Sequence, residues 1–409
     1  MASQTAHRQT TRWTMLATIS LAVVLSFSTW FSATAIAPEL KSAWALSDAE
    51  AGWLTNGVQL GFVIGALAAS LFNLPDLIRM NRLMAASATL AAAANAALLL
   101  DPGPLGAILL RMVTGMALAG VYPPALKLVA TWFVRGRGMA LAAVIGAITA
   151  GSSLPHLVRG LTSGVDWHVV IIASSAASLV AAILFLAGTR EGPDAFGKAV
   201  FDPRQIPTVL ADRNLLLVNF GYFGHMWELY AMWAWLLAYL TAAYQAHDLA
   251  LSASASLLTF VAVASGVLGC FIGGFCSDRY GRTATTAGMM IVSGICALLI
   301  GFAFDGPLWL LVAIVILWGI SIIGDSAQFS AAVTELADRR YVGTALSLQM
   351  GIGFALTILI IWLMPKLALL FGGWQWTFSV LAIGPAIGAA SMLILRGRPE
   401  ALRLANGRR

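Results

Sequence analysis

Two carboxylates, Glu228 and Asp325, stand well inside long apolar runs of this 409-residue chain, whereas nearly all its other acidic residues fall in loops or at the ends of such runs. An ionised carboxylate in the middle of a bilayer costs about 2.5–3.5 kcal/mol even on the lenient insertion scale. Such a group is kept where protons, water or a solute can reach it, and proton exchange is the chemistry it offers. At 100° per residue, His225, Glu228, Met232, Trp235 and Tyr239 share an arc of about 80° on one helix. That stripe joins an acid, an imidazole and two aromatics with polar tips. His225 and Glu228, spaced i, i+3, are close enough to share a proton or form an ion pair; the alternative is a polar pair that fixes one helix against another. A second stripe gathers Trp318, Ser321, Asp325, Gln328 and Phe329, with Asp325 far enough along its run to leave a cap or gate role open. Arg111, Gly115, Leu118 and Tyr122 share a face of a third run. Arg111 is suited to bind an anionic solute, to tune a carboxylate, or to snorkel toward headgroups. Ser26, Trp30 and Thr34 are spaced by four on the first run. Thr149, Ser152, Ser153 and His156 on another read more simply as packing groups.

The elements that must position these residues follow from composition. Hydrophobic residues make up 59% of the chain and charged residues 10%, against about 25% charged in soluble domains. That apolar excess requires a bilayer. Counting runs of about 20 apolar residues predicts an all-α membrane protein with twelve spans: 13–37, 49–72, 83–101, 105–132, 138–162, 168–188, 214–243, 251–276, 284–304, 307–335, 342–367 and 374–395. The net charge of +6 is spread over short clusters between runs, which argues against a nucleic-acid surface. It matches the positive-inside bias with both termini cytoplasmic, in a cell membrane. Residues 1–12 read as an uncleaved cytoplasmic tail, 13–188 as an N-terminal six-helix bundle and 189–213 as a polar cytoplasmic linker. Residues 214–395 read as a C-terminal six-helix bundle and 396–409 as a cytoplasmic tail. Asp76 and Asp278, which follow spans 2 and 8, lie 202 residues apart (278 − 76), and Arg135 and Arg137 mirror Arg339 and Arg340, so the halves read as a parallel repeat.

Enzyme chemistry has no foothold. The sequence holds no phosphate-cradling glycine-lysine loop, no zinc-type histidine pair and no nucleophile elbow, so no cofactor is implied. Cys270, Cys276 and Cys296 show no metal-ligand spacing. Of His225, Met226 and Met232, only the first and last share a face, which makes a poor metal site.

The run Gly274-Phe-Cys-Ser-Asp278-Arg279-Tyr-Gly281-Arg282 resembles the G-x-x-x-D-R-x-G-R loop of the major facilitator superfamily, and the loop around Asp76 is a degraded counterpart. Arg111-x-x-x-Gly115-x-x-x-x-Gly120-x-x-Pro123 is similar to that superfamily's second motif. Gly151-Ser-Ser-Leu-Pro155 is a fragment of its exchanger motif, with Leu154 where a glycine is expected. The segment from Thr29 to Pro38 and the run from Gly224 to Trp235 look like the bacterial branch near nitrate/nitrite and cyanate permeases. Span 2 offers only Asn56 and Gln59 where nitrate porters are expected to carry arginine, so nitrate is not expected.

The resemblance implies two six-helix bundles with spans 1, 4, 7 and 10 around a central cavity. It places Arg111, Tyr122, Trp30, Trp235, Tyr239, Trp318, Ser321 and Gln328 as candidate solute contacts. Glu228, His225 and Asp325 are the candidate proton-coupling groups, and Asp278, Arg279, Gly281, Arg282 and Asp76 a conformational latch. The function expected is proton-coupled transport of a small anion or zwitterion by a monomer in the lipid bilayer through alternating access. A proton-driven exporter of drugs or metabolites and a non-transporting membrane sensor are the alternatives.

Overall fold

The computed structural model describes residues 2–72, 77–133, 136–162, 166–194, 202–248, 252–338 and 340–409. Among them there is no strand, and twelve membrane-crossing segments form two bundles of six. An even number of crossings brings both chain ends to one face, called the near face below; the opposite one is the far face. Ten helices are long and apolar enough to cross a bilayer by length and composition. The two that fall outside this set, spans 1 and 7, carry much of the polar and aromatic content.

Local chemistry sets the helix starts. Span 2 (Asp48–Leu71) begins at a capping box, in which the Ser47 side chain accepts from the Glu50 N–H while Glu50 accepts from the Ser47 N–H. Span 7 (Arg213–Ala246) begins where the Asp212 carboxylate accepts from the N–H groups of Asn214 and Leu215. Span 9 (Arg282–Leu299) is preceded by Gly281 at φ 91°, a left-handed position at which a Cβ would meet the carbonyl oxygens of Arg408 and Arg409.

Three spans expected to be continuous are broken. Span 1 runs as Ala2–Phe27, then Ser32–Ala35 and Ala37–Trp44, with turns at residues 28–31. Span 4 divides into Gly103–Ala119 and Tyr122–Ala130. Pro123 and Pro124 lack the N–H that an unbroken helix needs there, and their rings clash with carbonyls one turn back. Span 10 divides into Leu308–Gly324 and Ser326–Leu336 at Asp325. The expected tail is also folded: Pro399–Gly407 forms short helical turns that bury Ala401 and Leu404 against the C-terminal bundle. Asp76, Arg135 and Arg339 lie outside the described residues.

The repeat is exact at the level of contacts. A Cβ on Gly115 of span 4 would meet the carbonyl oxygen of Val58 in span 2 at 2.0 Å, and one on Gly319 of span 10 would meet that of Ala262 in span 8 at 1.9 Å. Both partners are displaced by the same 204 residues (319 − 115 and 262 − 58). Gly65 against Met116 and Gly269 against Ile320 repeat at the same offset (269 − 65 and 320 − 116), as do the breaks after Gly120 and Gly324. Small residues let these helix backbones approach closely where lipid provides no hydrophobic drive. The two bundles meet along span 5 (Arg137–Leu161) against span 8 (Ser252–Tyr280), and along span 2 against span 11 (Val342–Leu370).

Candidate functional site

A cavity lies between the bundles. The N-terminal bundle contributes Trp30, Phe62 and Tyr122 to its wall, and the C-terminal bundle Tyr230, Trp233 and Phe354. These rings interlock across the seam, where Phe62 and Phe354 are 4.5 Å and Trp30 and Tyr230 5.9 Å apart between centroids; Trp30 and Phe62 (5.2 Å) and Tyr230 and Phe354 (5.4 Å) pair within their own bundles. Thr149, Ser326 and the tyrosines 122, 222 and 230 add hydroxyls. No charged side chain is among the residues that line it.

Arg111 is fully buried one layer behind this wall. Its Nη1 donates to the Thr29 carbonyl at 2.9 Å, to Ser32 Oγ at 3.1 Å and to Asn95 Oδ1 at 3.0 Å. Nη2 donates to the Trp30 carbonyl, and Nε to that of Leu54 at 3.3 Å. The break in span 1 frees two of these acceptors, the carbonyls of Thr29 and Trp30, while Leu54 belongs to span 2 and Asn95 to span 3. All five are neutral, so the positive charge has no carboxylate partner in this network.

The acids sit in the opposite bundle. Glu228 is buried between spans 7, 9 and 10, where Trp318 Nε1 donates to Oε1 at 2.7 Å and Ser293 Oγ to Oε2 at 2.9 Å. Its carboxylate does not line the cavity, although the next residue, Leu229, does. His225 turns to span 10 instead of to Glu228, and its Nδ1 lies 2.8 Å from Asp325 Oδ1 in a close ionic contact outside hydrogen-bond alignment. His225 Nε2 has no partner among the described residues. Asp325 occupies the break in span 10, between Ile323 and Ser326, and both of these line the cavity.

Of the residues expected to contact solute, Trp30 and Tyr122 line the cavity. Arg111 is turned into the span 1 break, as above. Trp235 lies on the seam toward the far face, donating to the Ile361 carbonyl at 3.0 Å. Tyr239 donates to the Ile300 carbonyl at 2.8 Å and stacks on Phe378 within the C-terminal bundle. Trp318 holds Glu228, and Ser321 bonds back to the carbonyls of Leu317 and Trp318. Gln328 accepts from Arg282 Nη1 at 2.7 Å near the near face. Among the wall residues that were not anticipated, those of span 7, Tyr222, Met226, Leu229, Tyr230 and Trp233, fall at i, i+4, i+7, i+8 and i+11. That spacing was legible as a helical stripe, but the neighbouring polar stripe carried the more conspicuous chemistry.

The loop after span 8 is tied within one bundle. Arg282 donates through Nε and Nη2 to both oxygens of Glu335 at the end of span 10, at 2.7 and 2.5 Å, and Glu335 also accepts from the Ala405 N–H at 3.0 Å. Asp278 and Arg279 are exposed. On the far face the bundles are bridged by Arg159, which pairs with Glu39 at 2.8 Å and donates to Ser256 Oγ of span 8.

Several buried groups near the seam have no hydrogen-bond partner among the described residues: both amide atoms of Asn56 and of Gln59, and the indole nitrogens of Trp30 and Trp233. Each unpaired buried polar group costs about 1–3 kcal/mol.

A family model described as the Major Facilitator Superfamily matches residues 19–324 and 218–409. The probable sulfoacetate transporter SauU of Cupriavidus necator (strain ATCC 17699 / DSM 428 / KCTC 22496 / NCIMB 10442 / H16 / Stanier 337) is 28% identical over 200 residues, covering 43% of this chain and 44% of that one. The chain thus spans under half the length of this curated relative. A bacterial homologue of the human lysosomal transporter Spinster, in an inward-facing and unoccupied conformation, superposes with a TM-score of 0.73 at 16% identity, over 94% of this chain and 97% of that one. The proton:xylose symporter XylE does so at 0.71 and 12% identity, over 95% and 96%. These two likenesses concern the fold.

Proposed function

The chain belongs to the major facilitator superfamily, and within it we propose a secondary transporter that moves a small organic anion by alternating access, coupled to protons. The observation that carries this reading is the division of charge around the cavity. Its wall is neutral and rich in hydroxyl and indole donors, with no carboxylate, and the uncompensated Arg111 stands directly behind Trp30. Neutral donors backed by a buried positive charge favour an anion with an apolar body, which the aromatic faces would cover. The similarity to a probable sulfoacetate transporter supports the same solute class.

Proton coupling rests on the C-terminal bundle. Asp325 and His225 can exchange a proton as a pair, and Asp325 sits at a helix break whose two flanks touch the cavity. A change of charge there would shift the wall itself. Glu228, held by two neutral donors, is the second acceptor in the relay. The near face is proposed to be cytoplasmic, as the basic clusters suggest. The Arg282–Glu335 pair is proposed to hold the loop after span 8 through the cycle.

The test is labelled sulfoacetate uptake into proteoliposomes of the full chain. Uptake stimulated at least fivefold by an inward proton gradient supports the reading, and uptake indifferent to that gradient overturns the coupling. The aromatic wall also favours a second reading, a proton-driven exporter of amphipathic drugs. Solute addition would then release protons in exchange instead of consuming them, which a pH-sensitive dye in the lumen distinguishes.

A further inference from the structure

Span 2 presents three faces that its contacts define. Gly57, Gly61 and Gly65 pack on the backbone of span 4. Phe62 faces the cavity, and Thr55 on a neighbouring azimuth shares a hydrogen bond with Thr34 of span 1 at 2.7 Å. Gly52 faces Trp235 of the C-terminal bundle, where an added Cβ would lie 3.4 Å from the indole ring. At 100° per residue, Asn56 and Gln59 fall within about 40° of Gly52, so they belong to the face that meets the opposite bundle. Along the axis, Gln59 lies about 4.5 Å and Asn56 about 9 Å from Phe62 toward the far face, and Gly52 about 15 Å.

Both amides are completely buried, and all four of their polar atoms lack a partner among the described residues. Native interiors seldom leave polar groups unpaired, and such groups call for a specific explanation. Packing alone supplies none here, because an apolar side chain of similar volume would fill the same space without the desolvation cost. The wall of the adjacent cavity adds two donor-only groups in the same condition, the indole N–H groups of Trp30 and Trp233. Four side chains from both bundles therefore hold unused hydrogen-bonding capacity, two in the cavity wall and two on the face of span 2 that carries the Gly52 contact with Trp235.

We propose that Asn56 and Gln59 form a hydrogen-bonding subsite for the anionic head of the solute, on the route that opens to the far face when span 2 parts from the C-terminal bundle. The inference rests on the anion reading above for the sign of the head group, and on the unpaired amides for the place. The amides are ambivalent, so their N–H groups turn to carboxylate or sulfonate oxygens without a fixed cation that would trap the solute. Arg111 supplies the long-range attraction from the break in span 1, and the amides supply a station that binds and releases.

The experiment uses the full chain in membranes, with Cys270, Cys276 and Cys296 replaced by serine and retained uptake as the control for folding. Into this background Gln59→Cys or Asn56→Cys is introduced. Each variant is treated with two thiol reagents of similar size, the sulfonate 2-sulfonatoethyl methanethiosulfonate and the quaternary ammonium 2-(trimethylammonium)ethyl methanethiosulfonate. The proposal expects modification at both positions, at least tenfold faster with the sulfonate, and slowed at least fivefold by sulfoacetate. Faster reaction with the ammonium reagent would leave the subsite standing and remove the anion reading. No reaction with either reagent at either position would overturn the subsite and make the amides sealed packing groups. Reaction with both reagents at equal rates, unaffected by sulfoacetate, would also overturn it, as the mark of a water path without a solute contact. Gln59→Leu in the native background provides a second readout. A raised melting temperature together with at least a tenfold rise in KM for sulfoacetate is expected, whereas an unchanged KM would refute a solute contact.

Discussion

Spans 1 and 7 face one another across the cavity and handle buried polarity in opposite ways. Span 1 is broken at residues 28–31, and the carbonyls released by the break are taken by the Arg111 guanidinium. Span 7 is an unbroken helix of 34 residues that bears Glu228 and His225. The difference follows from what each charge needs. A cation needs acceptors, and an opened helix turn exposes carbonyls in quantity. A carboxylate needs donors, which here come from Trp318 and Ser293 on other spans, so the backbone of span 7 stays intact. The internal repeat makes the contrast sharper. At the offset of 204 established by the glycine contacts, Arg111 corresponds to Val315 (315 − 111) and Asp325 to Val121 (325 − 121). The repeat supplies two equivalent scaffolds, and charge distinguishes them.

The largest effect that would break this comparison is at Arg111. Arg111→Met strips a single donor from five acceptors at once, and a loss of at least about 3 kcal/mol is expected from unpaired buried groups, read as little folded protein by size-exclusion chromatography. Arg111→Lys keeps the charge but not the planar fork, and should recover less than half of the folded yield. On the other side, Glu228→Gln keeps one oxygen to accept from Trp318, turns its amide N–H toward the Ser293 hydroxyl, and removes the titratable proton. Uphill uptake should fall at least tenfold with counterflow exchange within about threefold; equal loss of both would deny Glu228 a coupling role. The scaffold equivalence is tested by Gly115→Ala and Gly319→Ala, each of which pushes a methyl onto a backbone carbonyl at about the same distance. Overpacking of this kind costs about 1–3 kcal/mol, so similar drops in melting temperature are expected, and a marked inequality would count against a true contact repeat.

The smallest effect belongs to the exposed loop beyond the break in span 10. Arg340 donates to both oxygens of Asp338, at 3.2 and 2.9 Å, and holds that carboxyl below the usual carboxylate range. A lowered folded-state pKa gives stability above the unfolded value of about 3.9, and that stability is lost as pH falls through the folded value. Because the pair is solvated, Asp338→Asn should leave the melting temperature at pH 7 nearly unchanged, and any difference should narrow further toward pH 3.

Much of this was legible in the chain. Runs of apolar residues fixed twelve crossings, since a bilayer demands a certain length whatever the sequence within it. The rarity of buried acids singled out Glu228 and Asp325, and the glycine and proline content of span 4 held the reason for its break. Partner choice was less accessible. Helical arithmetic placed His225 and Glu228 on one stripe, yet His225 met Asp325 of span 10 while Glu228 met Trp318 of span 10 and Ser293 of span 9, because a stripe about 80° wide meets more than one neighbour. It also could not tell that Trp235, Tyr239 and Gln328 would bind within their own bundle or along the seam while Tyr230 and Trp233 reached the cavity.

Composition and periodicity by themselves determined a membrane protein of two six-helix halves with a few charges that had to be buried with purpose. Those properties depend on transfer from water to lipid and on the pitch of a helix, both local to the chain. Tertiary structure decided which face of each helix met the cavity, that Arg111 would be spent on the carbonyls of span 1, and that Asn56 and Gln59 would stand unpaired at the seam. Those outcomes depend on the rotation of one helix against another, set by backbone contacts such as those of Gly115 and Gly319 with residues some 57 positions away (115 − 58 and 319 − 262), which no local pattern encodes.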